Sequence, residues 1–277
     1  MATEAIATDG EVSSVDGMRL FYRAWTRGQA THTFAVVHGL GEHSGRYAAL
    51  AEAMFKRGMD TYAVDLRGHG KSQGQRGHVD SWSQWTDDVA SFVARVEGLS
   101  SGEVIPLGHS FGGVAMLSTV LEGKLKSVRR FIVSSPALKL KAAVPQWKVK
   151  LGNVTSRLTP RLALANEVDP GSVSRIPEVV EAYRTDPLVH ARISSRMYTE
   201  WQRAADDVLA RANRIPIPFL ILAGDADRLI DTAGSVQLHA KAPQQSTLHM
   251  LPGRYHEPFN DLGSEEAFDI VAGWISK

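Results

Sequence analysis

Short apolar runs alternate with segments of helical period along most of this chain, and no other feature restricts its fold as much. "TFAVVHG", "DTYAVDL", "EVIPLGH", "RRFIVSS", "PFLILAG" and "STLHMLP" are brief and apolar and end near Gly, Asp, Ser or Pro. Such runs are expected of strands buried on both faces, where no polar side is left to alternate. Between the first two, "YAALAEAMFKRG" spaces its apolar residues for a helix and stops at Gly58. "FGGVAMLSTVLEG" and "SEEAFDIVAGWIS" predict two further helices, the second with Ser264 as its N-cap. Ahead of them all, "EVSSV" and "RLFYRAW" flank Asp16-Gly17, which reads as a hairpin turn. The class is therefore α/β: a mostly parallel, eight-stranded sheet flanked by helices.

The alternation breaks once. From about Ala137 to Asn213 the pattern turns helical, punctuated by Pro145, Pro160, Pro170, Pro177 and Pro187, with no convincing strand. This predicts an inserted helical cap (lid) over residues 137–212, with a core made of residues 1–136 and 213–277. From Lys139 to Arg161 the cap carries six Lys or Arg and no acidic residue, interleaved with Leu, Val and Trp147. A basic segment with an apolar face suits transient contact with an anionic membrane surface.

A length of 277 residues accommodates one large domain or a core with an insertion. Apolar residues at 43% and charged residues at 22% are those of a folded globular protein. A net charge of +1 gives no reason to expect nucleic acid as a partner. Cysteine is absent, which excludes disulfides and thiol chemistry. The opening "MATEAIATDGEV" has neither the basic start nor the apolar core of a signal peptide. No apolar stretch approaches the roughly 20 residues needed to span a bilayer. The expectation is a soluble, cytoplasmic protein.

Two apparent sites dissolve on inspection. "HGLGEHSGRY" places His38, Glu42 and His43 close together, but neither H-E-x-x-H nor H-x-x-E-H is formed. Gly39, Gly41 and Gly45 also oppose the helix such motifs need, at about 1 kcal/mol each relative to alanine. No metal is expected there. "RGHGKS" ends like a phosphate-binding loop, yet Asp65 stands where the first glycine would be required.

"GHSFGG" is a different matter. Gly108-His109-Ser110-Phe111-Gly112 matches G-x-S-x-G between an apolar run and a helical one, the context in which a strained turn exposes a serine nucleophile. A serine hydroxyl needs a base, and the base an orienting carboxylate, in chain order Ser, acid, His. His190, His239 and His249 lie in the cap, a helix and a strand, where structural roles suit them. His256, in the loop "PGRYHEPFN" after the last strand, is the expected base. For the acid, "FLILAGDADRLID" offers Asp225 and Asp227, which spacing does not separate, while Asp231 reads as the N-cap of the next helix. The oxyanion of acyl transfer needs two preorganised donors, each typically worth about 10²–10³ in rate. Phe111 N–H is one; "VVHGLG" is the kind of loop that supplies the other, through Leu40 N–H. His38 is then a structural hydrogen-bonding residue.

Taken together, "HGLGEHSGRY", "DLRGHGKSQGQRGHVDSW", "GHSFGG", "SSPAL", "AYRTDPLVH", "ADRLID" and "YHEPFN" closely resemble the monoacylglycerol lipase branch of the α/β-hydrolase superfamily. The resemblance implies Asp227 as the acid, from its A-D-R-L context, and a cap between the sixth and seventh strands. It implies that Arg46 and Tyr183 lie near the glycerol end of the pocket, with Glu42 supporting the loop. Phe111 stands where relatives often carry methionine, which keeps an apolar wall. The implied reaction is hydrolysis of a monoacylglycerol, a small lipid ester, to fatty acid and glycerol through an acyl-enzyme, without metal or cofactor. A lysophospholipase or general carboxylesterase would use the same triad. A haloalkane dehalogenase is disfavoured by serine at position 110, and a non-catalytic binding protein by the complete set of catalytic groups.

Overall fold

A computed structural model describes residues 5–141, 146–166 and 168–277. Its centre is an eight-stranded sheet in the order β1-β2-β4-β3-β5-β6-β9-β10. The antiparallel edge is β1 (Ala7–Ser13) and β2 (Arg19–Trp25), followed by β4 (Asp60–Val64), β3 (His32–Val37), β5 (Glu103–His109) and β6 (Phe131–Ser134). β9 (Phe219–Gly224) and β10 (Ser246–Leu251) complete it, and all pairings from β4 onward are parallel.

Each central strand sends alternate residues to opposite faces, and both faces are covered. Phe34, Val36, Ile105, Leu107, Leu220 and Leu222 pack on one side with α1 (Ala48–Lys56) and α8 (Ser264–Ile275). Ala35, Val37, Val133, Phe219 and Ile221 face the other side, where α2 (Trp82–Leu99) and α3 (Phe111–Leu121) lie. Burial on both faces is why these strands read as continuous apolar runs. Parallel direction also carries the ends of β3, β5, β9 and β10 to one edge of the sheet, where α/β folds place their ligands.

Between β6 and β9 the chain leaves the sheet through α4 (Gln146–Leu158), α5 (Pro177–Thr185) and α6 (Ser195–Arg211). α6 packs on α3 and inserts Met197, Trp201, Ala205 and Val208 into the apolar cluster beneath it. Contrary to the all-helical expectation, this segment also holds a ribbon of β7 (Ala163–Ala165) and β8 (Arg192–Ser194), paired antiparallel. Three residues are too few to show a period of two, and the pairing is made between distant stretches, so local pattern could not reveal it. Of the basic stretch, residues 142–145, including Pro145, lie outside the described residues, as do the side chains of Lys148 and Lys150.

Two helix starts also differ from expectation. Ser264 is the first residue of α8, and the N-cap position is Gly263 at φ 77°. A Cβ at Gly263 would lie 2.2 Å from Arg254 Nη2, so the chain enters this helix with a residue that has none. At α7 (Ala233–Lys241) the N-cap position is Thr232, while Asp231 Oδ1 still accepts the Ala233 N–H at 2.9 Å.

Candidate active site

Ser110 sits between β5 and α3 at φ 51°, one of two non-glycine residues with positive φ among those described. That strain, of order 1–3 kcal/mol, persists only where the surroundings enforce it. They do so by close backbone approach. A Cβ on Gly108 would fall 2.5 Å from the Gly112 carbonyl oxygen, and one on Gly112 would fall 2.3 Å from that of His38.

His256 Nε2 lies 2.8 Å from Ser110 Oγ, and His256 Nδ1 lies 2.7 Å from Asp227 Oδ2. A carboxylate at Nδ1 keeps the ring proton there and leaves Nε2 free to accept from the hydroxyl. Asp227 is fully buried, and its Oδ1 accepts the N–H groups of Leu229 and Ile230 at 2.8 and 3.0 Å. Lys141 Nζ donates to its carbonyl oxygen. Asp225 points elsewhere: it is exposed and accepts the Gly253 N–H at 2.6 Å. Burial opposes charging of His256, but the Asp227 carboxylate and the nearby Glu257 and Glu42 outweigh it and raise its pKa above the usual value.

The loop after β3 runs beside the nucleophile, so close that a Cβ on Gly39 would lie 3.1 Å from Ser110 Cβ. Its backbone is held from both sides. Gly39 N–H donates to Glu42 Oε1 at 2.6 Å. Leu66 N–H donates to His38 Nε2, which leaves the proton on His38 Nδ1 to donate to the Gly39 carbonyl at 2.7 Å. Because the peptide is planar and trans, a carbonyl turned to His38 turns the Leu40 N–H the opposite way. Leu40 N–H and Phe111 N–H, the latter in the first turn of α3, have no acceptor among the described residues. Phe111 itself is buried edge-on against Trp82, Trp85 and Trp201, with ring centroids 5.3, 4.1 and 5.8 Å away. His43, grouped in the sequence with His38 and Glu42 where no metal is expected, bonds Asp186 at 2.8 Å through Nε2 and accepts the Gly45 N–H at 3.1 Å.

Residues 28–263 match the family described as Serine aminopeptidase, S33. The monoacylglycerol lipase of Mycolicibacterium smegmatis is 33% identical over 273 residues, covering 95% of each chain. The monoglyceride lipase of Rattus norvegicus is 32% identical, covering 95% of this chain and 88% of its own. The crystal structure of the Paleococcus ferrophilus monoacylglycerol lipase superposes with a TM-score of 0.80 at 32% identity, over 99% of this chain and 98% of that one. The chain belongs to the monoacylglycerol lipase branch of the S33 family. Its architecture is the α/β-hydrolase fold, and the protein is a serine hydrolase.

In this member of the lipase branch, the residues expected at the head-group end form a buried charged cluster. Arg46 Nε donates to Glu42 Oε2 at 3.2 Å, and Arg46 Nη2 reaches both oxygens of Glu257, at 2.8 and 2.6 Å. The Tyr183 ring covers the guanidinium at 4.6 Å. Tyr47 O–H donates to Glu42 Oε1 at 3.2 Å and Asn260 Nδ2 to Glu257 Oε2 at 3.0 Å. Burial, then the charge of Glu257, push Glu42 up to about 7 against the pull of Arg46. Glu257 was not singled out from the sequence. Its signal was there: a glutamate directly after the candidate base, in an otherwise mostly uncharged loop.

Proposed function

We propose that this protein cleaves the ester of a monoacylglycerol into a fatty acid and glycerol. Ser110 Oγ attacks the acyl carbonyl while His256 Nε2 takes its proton, and Asp227 holds the imidazolium that forms. The Leu40 and Phe111 N–H groups receive the oxyanion. His256 then protonates the departing glycerol oxygen, and water repeats the sequence on the acyl-enzyme. The observation that carries this reading is the continuous chain from Ser110 through His256 to Asp227 at the edge where β5, β9 and β10 end.

At the glycerol end, Arg46 is engaged by Glu42 and Glu257, so it shapes the recess with them. The Tyr183 hydroxyl, without a partner among the described residues, is the group left to meet a glycerol hydroxyl. Residues 137–212 act as the cap over this site, with 1–136 and 213–277 as the core. The cap also offers a surface for a lipid interface. Trp147, Leu151, Val154 and Leu158 are spaced four, three and four residues apart on α4, and all are exposed. That places them on one helical face of a segment whose sequence is basic. No helix among the described residues is long and apolar enough to cross a membrane, so contact would be peripheral.

The test compares initial rates on monooleoylglycerol and oleoyl-lysophosphatidylcholine, with Ser110→Ala as the blank. Preference for the glyceride, lost in the variant, is expected. Preference for the phospholipid would keep the triad and overturn the glycerol pocket, whereas equal rates in wild type and variant would remove the hydrolase chemistry from this site.

A further inference from the structure

Glu257, Arg46 and Glu42 place three ionisable side chains in one buried cluster, two acids against one base. Burying such a group is not an efficient way to stabilise a fold, because desolvation costs several kcal/mol per ion and apolar replacements are often as stable. Its position suggests a different use. One end of the cluster is the residue next to the base His256, and the other end, Glu42 Oε1, holds the Gly39 N–H of the loop that carries the Leu40 donor. Hydrogen bonds run without a break from Glu257 to Arg46, from Arg46 to Glu42 and from Glu42 to Gly39. The Glu257 N–H is itself fixed by the Val173 carbonyl, at 3.0 Å.

We infer that Glu257 is a positioning residue for hydrolysis, which ties the loop of the base to the loop of the oxyanion donor and keeps a carboxylate beside His256. The inference rests on the serine hydrolase reading of the site. Glu42, raised to about 7, holds a proton over the acid range, so the carboxylate of Glu257, the residue next to His256, carries the negative charge of the cluster there. That charge favours the imidazolium formed as Ser110 gives up its proton, making His256 a stronger base. Among the other groups facing His256, Asp227 supplies the larger share of negative charge. Asp227 and Ser110 occupy its two nitrogens, and His109, 5.0 Å away between ring centroids, is kept neutral by burial. From α5, Tyr183 covers the far side of Arg46, and burial keeps its hydroxyl protonated.

The experiment is the pH profile of kcat/KM for wild type, Glu257→Gln and Glu257→Asp on p-nitrophenyl butyrate. NMR titration of His256 in the same proteins gives a second readout. Since His256 must be unprotonated to act, removing nearby negative charge moves the acid limb to lower pH. Glu257→Gln is expected to shift limb and titration down by about one pH unit and lower the plateau about tenfold. Glu257→Asp keeps the charge but loosens the grip on Arg46, so its plateau falls while its limb stays. Should Glu257→Gln not fold, Glu257→Asn removes the same charge and is expected to give the same downward shift. A lowered plateau with an unmoved limb in the amide variants would reduce the cluster to scaffolding and overturn the inference. An inactive wild type would instead sink the hydrolase reading, and the NMR titration would still decide whether the charge acts on His256.

Discussion

Backbone clearance around Ser110 governs this site as much as the catalytic side chains do. Gly112→Ala would drive a methyl group against the His38 carbonyl, from a starting separation of 2.3 Å. His38 also orients the Gly39–Leu40 peptide, so the variant is expected to lose about 10² or more in kcat and several degrees in Tm, by steady-state kinetics and thermal unfolding. The two aspartates after β9 give a sharper contrast. Asp227→Asn, which leaves His256 with the wrong ring proton, is expected to lower kcat by about 10⁴. In Asp225→Asn a side-chain oxygen can still accept the Gly253 N–H, and kcat should remain within about twofold. Comparable losses in both would show that the acid has been misassigned. Local sequence could not separate these residues, because which side chain turns inward depends on the loop that closes over it.

At the scale of elements, α3 and α4 illustrate opposite constraints. The first turn of α3 holds Gly112 and Gly113, each a poor helix former by about 1 kcal/mol. The cost is accepted because the helix start is threaded between the His38 carbonyl and Pro136, which lies 3.1 Å from a Cβ on Gly113. Nearly all of α3 is buried, which explains why its sequence is apolar without a polar face. α4 instead leaves Leu151 54% and Leu158 76% exposed on the face that carries Trp147. Leu151→Ser combined with Leu158→Ser should weaken binding to phosphatidylglycerol-containing vesicles and slow hydrolysis of vesicle-borne monooleoylglycerol about fivefold or more. Hydrolysis of a soluble short-chain ester should be unchanged. Equal losses on both substrates would point to damage within the pocket and would count against a membrane-facing role for α4.

For the whole molecule, buried histidines set the response to acid. His38 and His190 are pulled down to about 4, chiefly by burial, and His69 and His109 lie well below the usual range for the same reason. Between about 4 and 6.5 the unfolded chain binds protons that these four sites refuse, so stability falls as pH drops through that window. Glu42 and His256, both raised, bind protons more tightly when folded and act in the opposite sense. Asp88, also raised, joins them, whereas the lowered carboxyls of Asp9, Asp16, Asp80, Glu103, Asp186 and Asp261 side with the histidines. The balance predicts net acid destabilisation, with Tm lower by about 5 °C at pH 4.5 than at pH 7. Calorimetry across that range checks it; a flat or rising Tm towards acid would mean that the histidines are hydrated. His190 also joins the excursion between β6 and β9 to the core, through its ring against His69 at 4.6 Å and its backbone N–H to the Gly41 carbonyl at 2.8 Å. Loss of this junction is therefore expected to accompany the acid transition.

The sequence by itself determined the sheet and helix alternation, the interruption after β6, the serine turn and the His256 loop. These features depend on burial period, backbone freedom and chain order, all of which are local and leave a local trace. Tertiary structure alone decided the rest. Asp227, which spacing left level with Asp225 and only the family resemblance selected, is told apart physically by its carboxylate facing His256, and β7 finds β8 only after the intervening chain has folded. Ser264 yields the N-cap position to Gly263, whose φ of 77° lies in the left-handed region that glycine adopts freely. Arg46, expected beside glycerol, is held by Glu42 and by Glu257, a partner 211 residues away in the chain. Such choices are made by distance and by the competition of buried charges for few partners, and neither is written in the spacing of a sequence.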